Sequence, residues 1–144
     1  MLGVDLDSVE LIERFEGLRV AFPITSSQGT AAAATVWMEL APGAALPEHT
    51  DSAEELLLVV DGEVEASVGD ERATLRAMEL AVVPALVPHG LRNVSDRPAR
   101  VLGFFASSTN VAIFTEPQGP ERMQVFVVGA PFPLAVPLDE PVAV

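Results

Sequence analysis

The 144-residue chain contains no cysteine and no lysine, and only two histidines. Without cysteine there are no disulfides and no thiolate metal sites, so any metal must be held by nitrogen and oxygen. Without lysine every basic residue is an arginine, and eight arginines stand against 21 acidic residues. The formal net charge is −13. A surface of that sign repels phosphate backbones, which argues against a nucleic-acid partner. No run approaches the roughly 18 apolar residues of a membrane span. No segment reads as a secretion signal, because Met1 to Asp7 is acidic and lacks both a basic region and a long apolar run. The expectation is a cytoplasmic chain without membrane contact.

A chain of this length suits one domain, expected over residues 1–144, and can bury a core without staples. The hydrophobic fraction is 49% and the mean hydropathy +0.37, high for a monomer of this size. A second copy is therefore expected to cover some apolar surface, as a homodimer.

Strand signals run from about residue 32 to 128, in short Val, Ala, Leu and Phe stretches broken by Pro, Gly and Asp. Ala32 to Leu40 reads as one strand, stopped at Pro42-Gly43, and Glu55 to Val60 as another. Asp61-Gly62 suits a two-residue type I′ hairpin turn, with Glu63 to Val68 returning antiparallel. Gly69-Asp70 marks a further turn before Arg72 to Arg76, and Leu80 to Val83, Gly90 to Val94 and Ala99 to Ala106 continue the series. Turns this closely spaced point to a sandwich or barrel. Asp7 to Glu13 is expected to add a strand to a sheet edge. Gln124 to Val128 reads as a strand, and Pro131, Pro133, Pro137 and Pro141 are expected to prevent regular structure after it. The tail, 124–144, is expected to lie extended over the barrel or on a partner subunit. Ser26 to Gly29 reads as a flexible loop near the barrel mouth.

Both histidines sit in patterned surroundings. In Pro47-Glu48-His49-Thr50-Asp51, residues two apart share a face if the segment is extended, so His49 and Asp51 point the same way. Glu55 opens the next strand and shares its inner row with Leu57 and Val59. A carboxylate there needs a metal ion or a shifted pKa, because burying it unpaired is costly. His89 follows Pro84 and Pro88 and shares a face with Leu91 and Asn93. Two imidazoles with one or two carboxylates suit Fe(II), Mn(II), Zn(II), Ni(II) or Co(II).

In these residues the chain resembles the cupin superfamily. The family's first motif, G(X)5HXH(X)3–4E(X)6G, is met by Gly43, five residues, His49, Thr50, Asp51, three residues, Glu55, six residues and Gly62. Only its second histidine differs, and Asp51 stands there. The second motif, G(X)5PXG(X)2H(X)3N, is met by Pro84, His89 and Asn93, with Met78 and Leu86 where the family has glycine. The motif core thus spans 43–93, flanked by an N-terminal edge segment, 1–30, and the tail.

The resemblance implies an all-β chain, an antiparallel β-barrel or jelly roll, with one divalent metal ion near the barrel axis. His49, Glu55 and His89 carry over as ligands. Asp51 either completes a two-His, two-carboxylate set or stands behind a two-His, one-carboxylate triad. Two carboxylates would favour a harder ion, Fe(II) or Mn(II), with Zn(II), Ni(II) or Co(II) also admitted. The implied activity is that of a dioxygenase-like oxygenase resembling the quercetin-dioxygenase-like cupins. Glu55 would serve as a catalytic base when it swings off the metal. An apolar pocket with Leu57, Val59 and Leu91 facing inward suits a small, largely apolar or aromatic, oxygen-bearing molecule. One or two of Trp37, Met38, Phe104 and Phe105 are expected to line it. The alternatives are an isomerase, cyclase or lyase on the same scaffold, or a non-catalytic cupin that binds a small molecule or metal.

Overall fold

The computed structural model describes residues 1–129 and 134–136. Among these, thirteen strands form two antiparallel sheets that face each other. The first sheet contains β1 (Ile12–Phe15), β2 (Leu18–Ala21), β3 (Ala34–Leu40), β5 (Glu55–Asp61), β8 (Leu80–Val83) and β10 (Ala99–Phe105). Its strands run in the order β1-β2-β3-β10-β5-β8. The second contains β4 (Ala45–Asp51), β6 (Glu63–Val68), β7 (Glu71–Arg76), β9 (His89–Arg92), β11 (Asn110–Gln118), β12 (Met123–Val128) and β13 (Leu134–Val136). Their order is β13-β12-β11-β4-β9-β6-β7. The result is the all-β jelly roll expected from the sequence.

Period-two alternation builds the core. Val36, Met38 and Leu40 of β3, Leu57 and Val59 of β5, and Val64 and Ala66 of β6 are all buried between the sheets. Trp37 has the opposite parity but is only 2% exposed, because the N-terminal segment covers it. Its indole nitrogen donates to the Leu6 carbonyl at 3.1 Å. The Arg100 guanidinium lies 4.6 Å from the ring centroid and is held by Asp7 at 2.7 Å.

Asp61-Gly62 is not a hairpin. β5 pairs with β8 and β10, whereas β6 pairs with β7 and β9, so this turn carries the chain from one sheet to the other. Gly62, at φ 77°, serves the corner rather than a type I′ turn. A β-carbon there would strike the Pro98 carbonyl and Ala99, so the corner also needs a residue without a side chain.

The ends also differ from expectation. Leu6–Ser8 is a 3-10 turn capped by Asp5, and the edge strand begins only at Ile12. Ser26–Gln28 is a second 3-10 turn, closed by a capping box from Thr25. Leu134–Val136 pairs with Val125–Val127 of β12, which corrects the expectation of no regular structure beyond Val128. Pro133 and Pro137 flank this three-residue edge strand rather than interrupt it. All four tail prolines, and the expected docking of the rest of the tail, lie outside the described residues.

Candidate metal centre

β4 lies between β9 and β11 in the second sheet, and this placement assembles the site. His49 pairs directly with His89 across β4 and β9, and their rings are 4.2 Å apart between centroids. Asp51, two residues along β4, falls on the same inner face. Glu55 opens β5 in the opposite sheet and points into the same interior. All four are buried, none more than 5% exposed.

Two backbone carbonyls set the imidazole tautomers. His49 Nδ1 donates to Pro47 O at 2.8 Å, and His89 Nδ1 donates to Val87 O at 2.9 Å. A carbonyl oxygen only accepts, so each Nδ1 carries its proton. In the neutral rings Nε2 then keeps a lone pair, the arrangement that metal-ligating histidines adopt.

Asp51 stands between the rings. Its Oδ2 is 3.0 Å from His89 Nε2 and 3.5 Å from His49 Nε2. Its Oδ1 accepts a 2.8 Å hydrogen bond from the Asn110 amide. Asn110 is itself buried and fixed, since its Oδ1 accepts from the Ala53 backbone at 3.2 Å. Glu55 approaches through His89 alone, with Oε1 3.5 Å from Nε2. The compact cluster, with donor atoms all within 4.8 Å of one another, is therefore His49, Asp51 and His89.

These groups fit a divalent ion. Asp51 Oδ2 and His89 Nε2 are buried and have no hydrogen-bond partner among the described residues. They lie 3.0 Å apart, and while the ring is neutral each presents a lone pair to the other. Orphaned donor atoms of this kind are costly unless something else satisfies them. The nitrogen and oxygen donor set is that of a 2-His-1-carboxylate site.

The electrostatics agree. Burial alone would raise the Asp51 pKa, but the facing His49 and His89 and the Asn110 amide hold it well below the usual carboxylate range. Burial pushes Glu55 up, and the Asp51 charge adds to this against the pull of His89. Burial opposes a charge on His89, yet Asp51, Glu55 and the Val87 carbonyl outweigh it and raise its pKa to about 10.

A cavity of about 100 Å³ opens beside the cluster, and its walls are aromatic and aliphatic. Phe114 of β11 stacks on His49, with centroids 4.8 Å apart at 24°. Phe15 and Phe126 pack against Phe114, at 5.2 Å from it in each case. Met38 and Phe105 line the cavity, whereas Trp37 and Phe104 do not. The expectation for Leu57, Val59 and Leu91 is corrected. They face inward but are sealed in the core, none more than 3% exposed, and do not line this cavity.

A family model described as the cupin domain matches residues 36–105. The chain belongs to the cupin superfamily. Among solved structures, the cupin is similar to oxalate decarboxylase of Lactobacillus farciminis, at 21% identity and a TM-score of 0.69. That match covers 76% of this chain but only 34% of the decarboxylase, so the chain spans about a third of it. The polyketide cyclase RemF of Streptomyces resistomycificus aligns at 20% identity and TM-score 0.65, over 73% of this chain and 78% of its own. The cupin domain of Schizosaccharomyces pombe Cnp3 aligns at 19% and 0.65, over 74% of both chains. At these identities the likeness is one of fold. No curated protein matches the chain.

The departures of this cupin from the family motifs now have a physical description. Asp51, in place of the second motif histidine, is the carboxylate that lies within 3.5 Å of both imidazole Nε2 atoms. Met78 and Leu86, in place of glycines, keep left-handed backbones at φ 70° and 66°. Leu86 N donates to the Asp51 carbonyl at 2.9 Å, which ties this turn to the site strand. Asn93 is structural: fully buried, it donates to Leu40 O at 3.0 Å and to Arg97 O at 2.7 Å.

Three neighbours of the site escaped the sequence reading. Asn110 and Phe114 share the inner row of β11 with Ala112, and only their alternation with exposed residues could have marked them. Gly103 of β10 leaves the space that Glu55 Oε2 occupies, since a β-carbon there would overlap it and Val36. Among the described residues no helix is long and apolar enough to cross a membrane.

Proposed function

We propose that this cupin is a metal-dependent enzyme, an oxygenase of the dioxygenase-like kind, acting on a small, largely apolar or aromatic molecule that carries oxygen. The observation that carries the reading is the buried His49, Asp51 and His89 cluster with orphaned donor atoms, opening on a Phe-lined cavity. These three residues would hold a divalent ion, Fe(II) or Mn(II) before Zn(II), Ni(II) or Co(II), and Glu55 would complete the set or stand free beside it. A bound ion of this kind supplies open coordination positions and, if redox-active, the electrons that oxygen chemistry requires. The protein's own part is to hold both Nε2 lone pairs and one Asp51 oxygen towards the ion. Phe114, Phe15 and Phe126 keep water out and bind the substrate body. Glu55 can hold or accept a proton beside it, because burial raises its pKa.

A second reading rests on Glu55 as well. A buried acid with a raised pKa serves a cyclase, isomerase or lyase without any redox change, and a non-catalytic binder would use the same cavity. The expected homodimer also belongs to this proposal, supported by the apolar Leu56, Leu80, Val82 and Phe104, exposed on the outer face of the first sheet.

Oxygen uptake tests the choice. Protein loaded with Fe(II), Mn(II) or Zn(II) is offered flavonols, diketones and catechols. The oxygenase reading expects uptake with Fe(II) or Mn(II) and none with Zn(II). Full metal loading without uptake on any substrate would leave the second reading.

A further inference from the structure

The cavity beside the metal cluster continues outward past a single cation. A larger cavity of about 470 Å³ adjoins it, walled in part by Val4, Ile12, Thr25 and Gln28. Arg14, Val20, Phe22 and Val128 line both. Arg14 is thus at the junction of an inner chamber and an outer one, and it is the only arginine lining either, with Glu10 also on the outer wall.

A β-bulge places it there. Ile12 pairs with Val20, and Glu13 with Arg19, but Phe15 pairs with Leu18, so one extra residue sits between Glu13 and Phe15. That residue is Arg14. Val20 and Leu18 are inner-face residues, so Ile12 and Phe15 share that face although they are three apart. Arg14, two from Ile12, is on that side as well, and both residues are exposed at the open end of the cavities. A regular strand would have to send either Arg14 or Phe15 outward, and the bulge admits both. Phe15 supplies the aromatic wall against Phe114, and Arg14 supplies a charge next to it.

The charge has no partner of its own. Arg19, Arg72, Arg76, Arg97 and Arg100 each make an ion pair, whereas Arg14 makes none among the described residues. Arg92 and Arg122 make none either, but neither of them lines these two cavities. The nearby Glu13 is committed elsewhere, accepting from Gly17 N at 2.9 Å.

We infer that Arg14 selects an anionic substrate: a small aromatic or apolar body with an oxygen-bearing end in the inner chamber and a carboxylate that pairs with Arg14. This deepens the metal-enzyme reading and rests on it. A guanidinium suits a carboxylate because it donates two parallel hydrogen bonds.

The test uses the full chain loaded with Zn(II), which avoids oxidation of the probes, and the same chain stripped of metal. The probes are 3,4-dihydroxybenzoate and 3,4-dihydroxybenzamide, identical at the catechol end and different only in charge at the other. Calorimetric titration of wild type, Arg14→Gln and Arg14→Lys is read against the zinc content of each sample. Wild type should bind the acid at least about tenfold more tightly than the amide. Arg14→Gln should abolish that preference with amide affinity unchanged, and Arg14→Lys should restore most of it, which loss of folding could not do. Equal affinities in wild type, a preference that survives in Arg14→Gln, or no binding of either probe to either form would overturn the inference. An Arg14-dependent preference in protein that takes up no zinc would uphold the anion site and overturn the metal reading. Zinc-loaded protein without the preference would do the reverse.

Discussion

The Asn110 amide donates to Asp51 Oδ1 at 2.8 Å, which fixes the carboxylate so that Oδ2 faces both imidazoles. An aspartate is shorter than the histidine the family places at this position. The hydrogen bond from β11 is what holds the shorter side chain in line. Asn110→Ala should therefore weaken metal binding by about 10–100-fold. It should also destabilise the chain by about 1–3 kcal/mol, because Asp51 Oδ1 and Ala53 N lose a buried partner. Metal titration and denaturant unfolding of the same variant check both effects. Unchanged affinity would mean that Asp51 does not depend on Asn110.

Gly103 makes room for Glu55, so Gly103→Ala should dislodge that carboxylate while leaving His49, Asp51 and His89 in place. Overpacking of this kind costs about 1–3 kcal/mol. The expected outcome is a less stable protein that keeps its metal and loses turnover. Metal content against activity separates this from a general collapse of the site. Wild-type turnover would remove Glu55 from the chemistry.

Much of this was legible in the sequence. His49 and His89 are the chain's only histidines, and their spacing to Glu55, Gly62 and Asn93 gave the family and the register of the site. The positions of β3, β5 to β10 and β12 followed from short apolar runs between Pro, Gly and Asp, whereas β2, β4 and β11 were not marked in this way. What was not legible is non-local. Asp61-Gly62 has the composition of a hairpin turn, and nothing near it says that the flanking strands join different sheets. Parity placed Leu57, Val59 and Leu91 on the inner face but carries no depth along the barrel, so core and cavity wall looked alike. Asn110 lies far along the chain from Asp51 and meets it only because β11 pairs with β4. The bulge at Arg14 leaves no compositional mark.

Protons and metal should compete at His89. Without metal its pKa is raised to about 10, above the unfolded value of about 6.5. A group raised in the folded state contributes stability that is full below the unfolded pKa and is lost as pH rises through the folded one. Metal-free protein should therefore lose thermal stability between about pH 7 and pH 10. Metal displaces that proton, so the gap in Tm between metal-loaded and metal-free protein should widen over the same range. Parallel curves would show that His89 does not exchange a proton for the ion.

Met78 and Leu86 hold left-handed backbones at φ 70° and 66° while their side chains are 75% and 70% exposed. Such conformations cost a residue with a β-carbon about 1–2 kcal/mol. Little packing is lost on truncation, so Met78→Gly and Leu86→Gly should each stabilise the chain, by about 0.5–1 kcal/mol after the greater freedom of the unfolded glycine is counted. Denaturant midpoints at constant slope would show it. Destabilisation would mean that these exposed side chains are packed against something in solution.

The central claim is a metal held by His49, Asp51 and His89. Elemental analysis of protein purified without chelator, wild type beside His49→Ala and His89→Ala, tests it most directly. Wild type should carry about one divalent ion per chain and either variant little, with both variants folded by circular dichroism. Full occupancy in folded His89→Ala would contradict it.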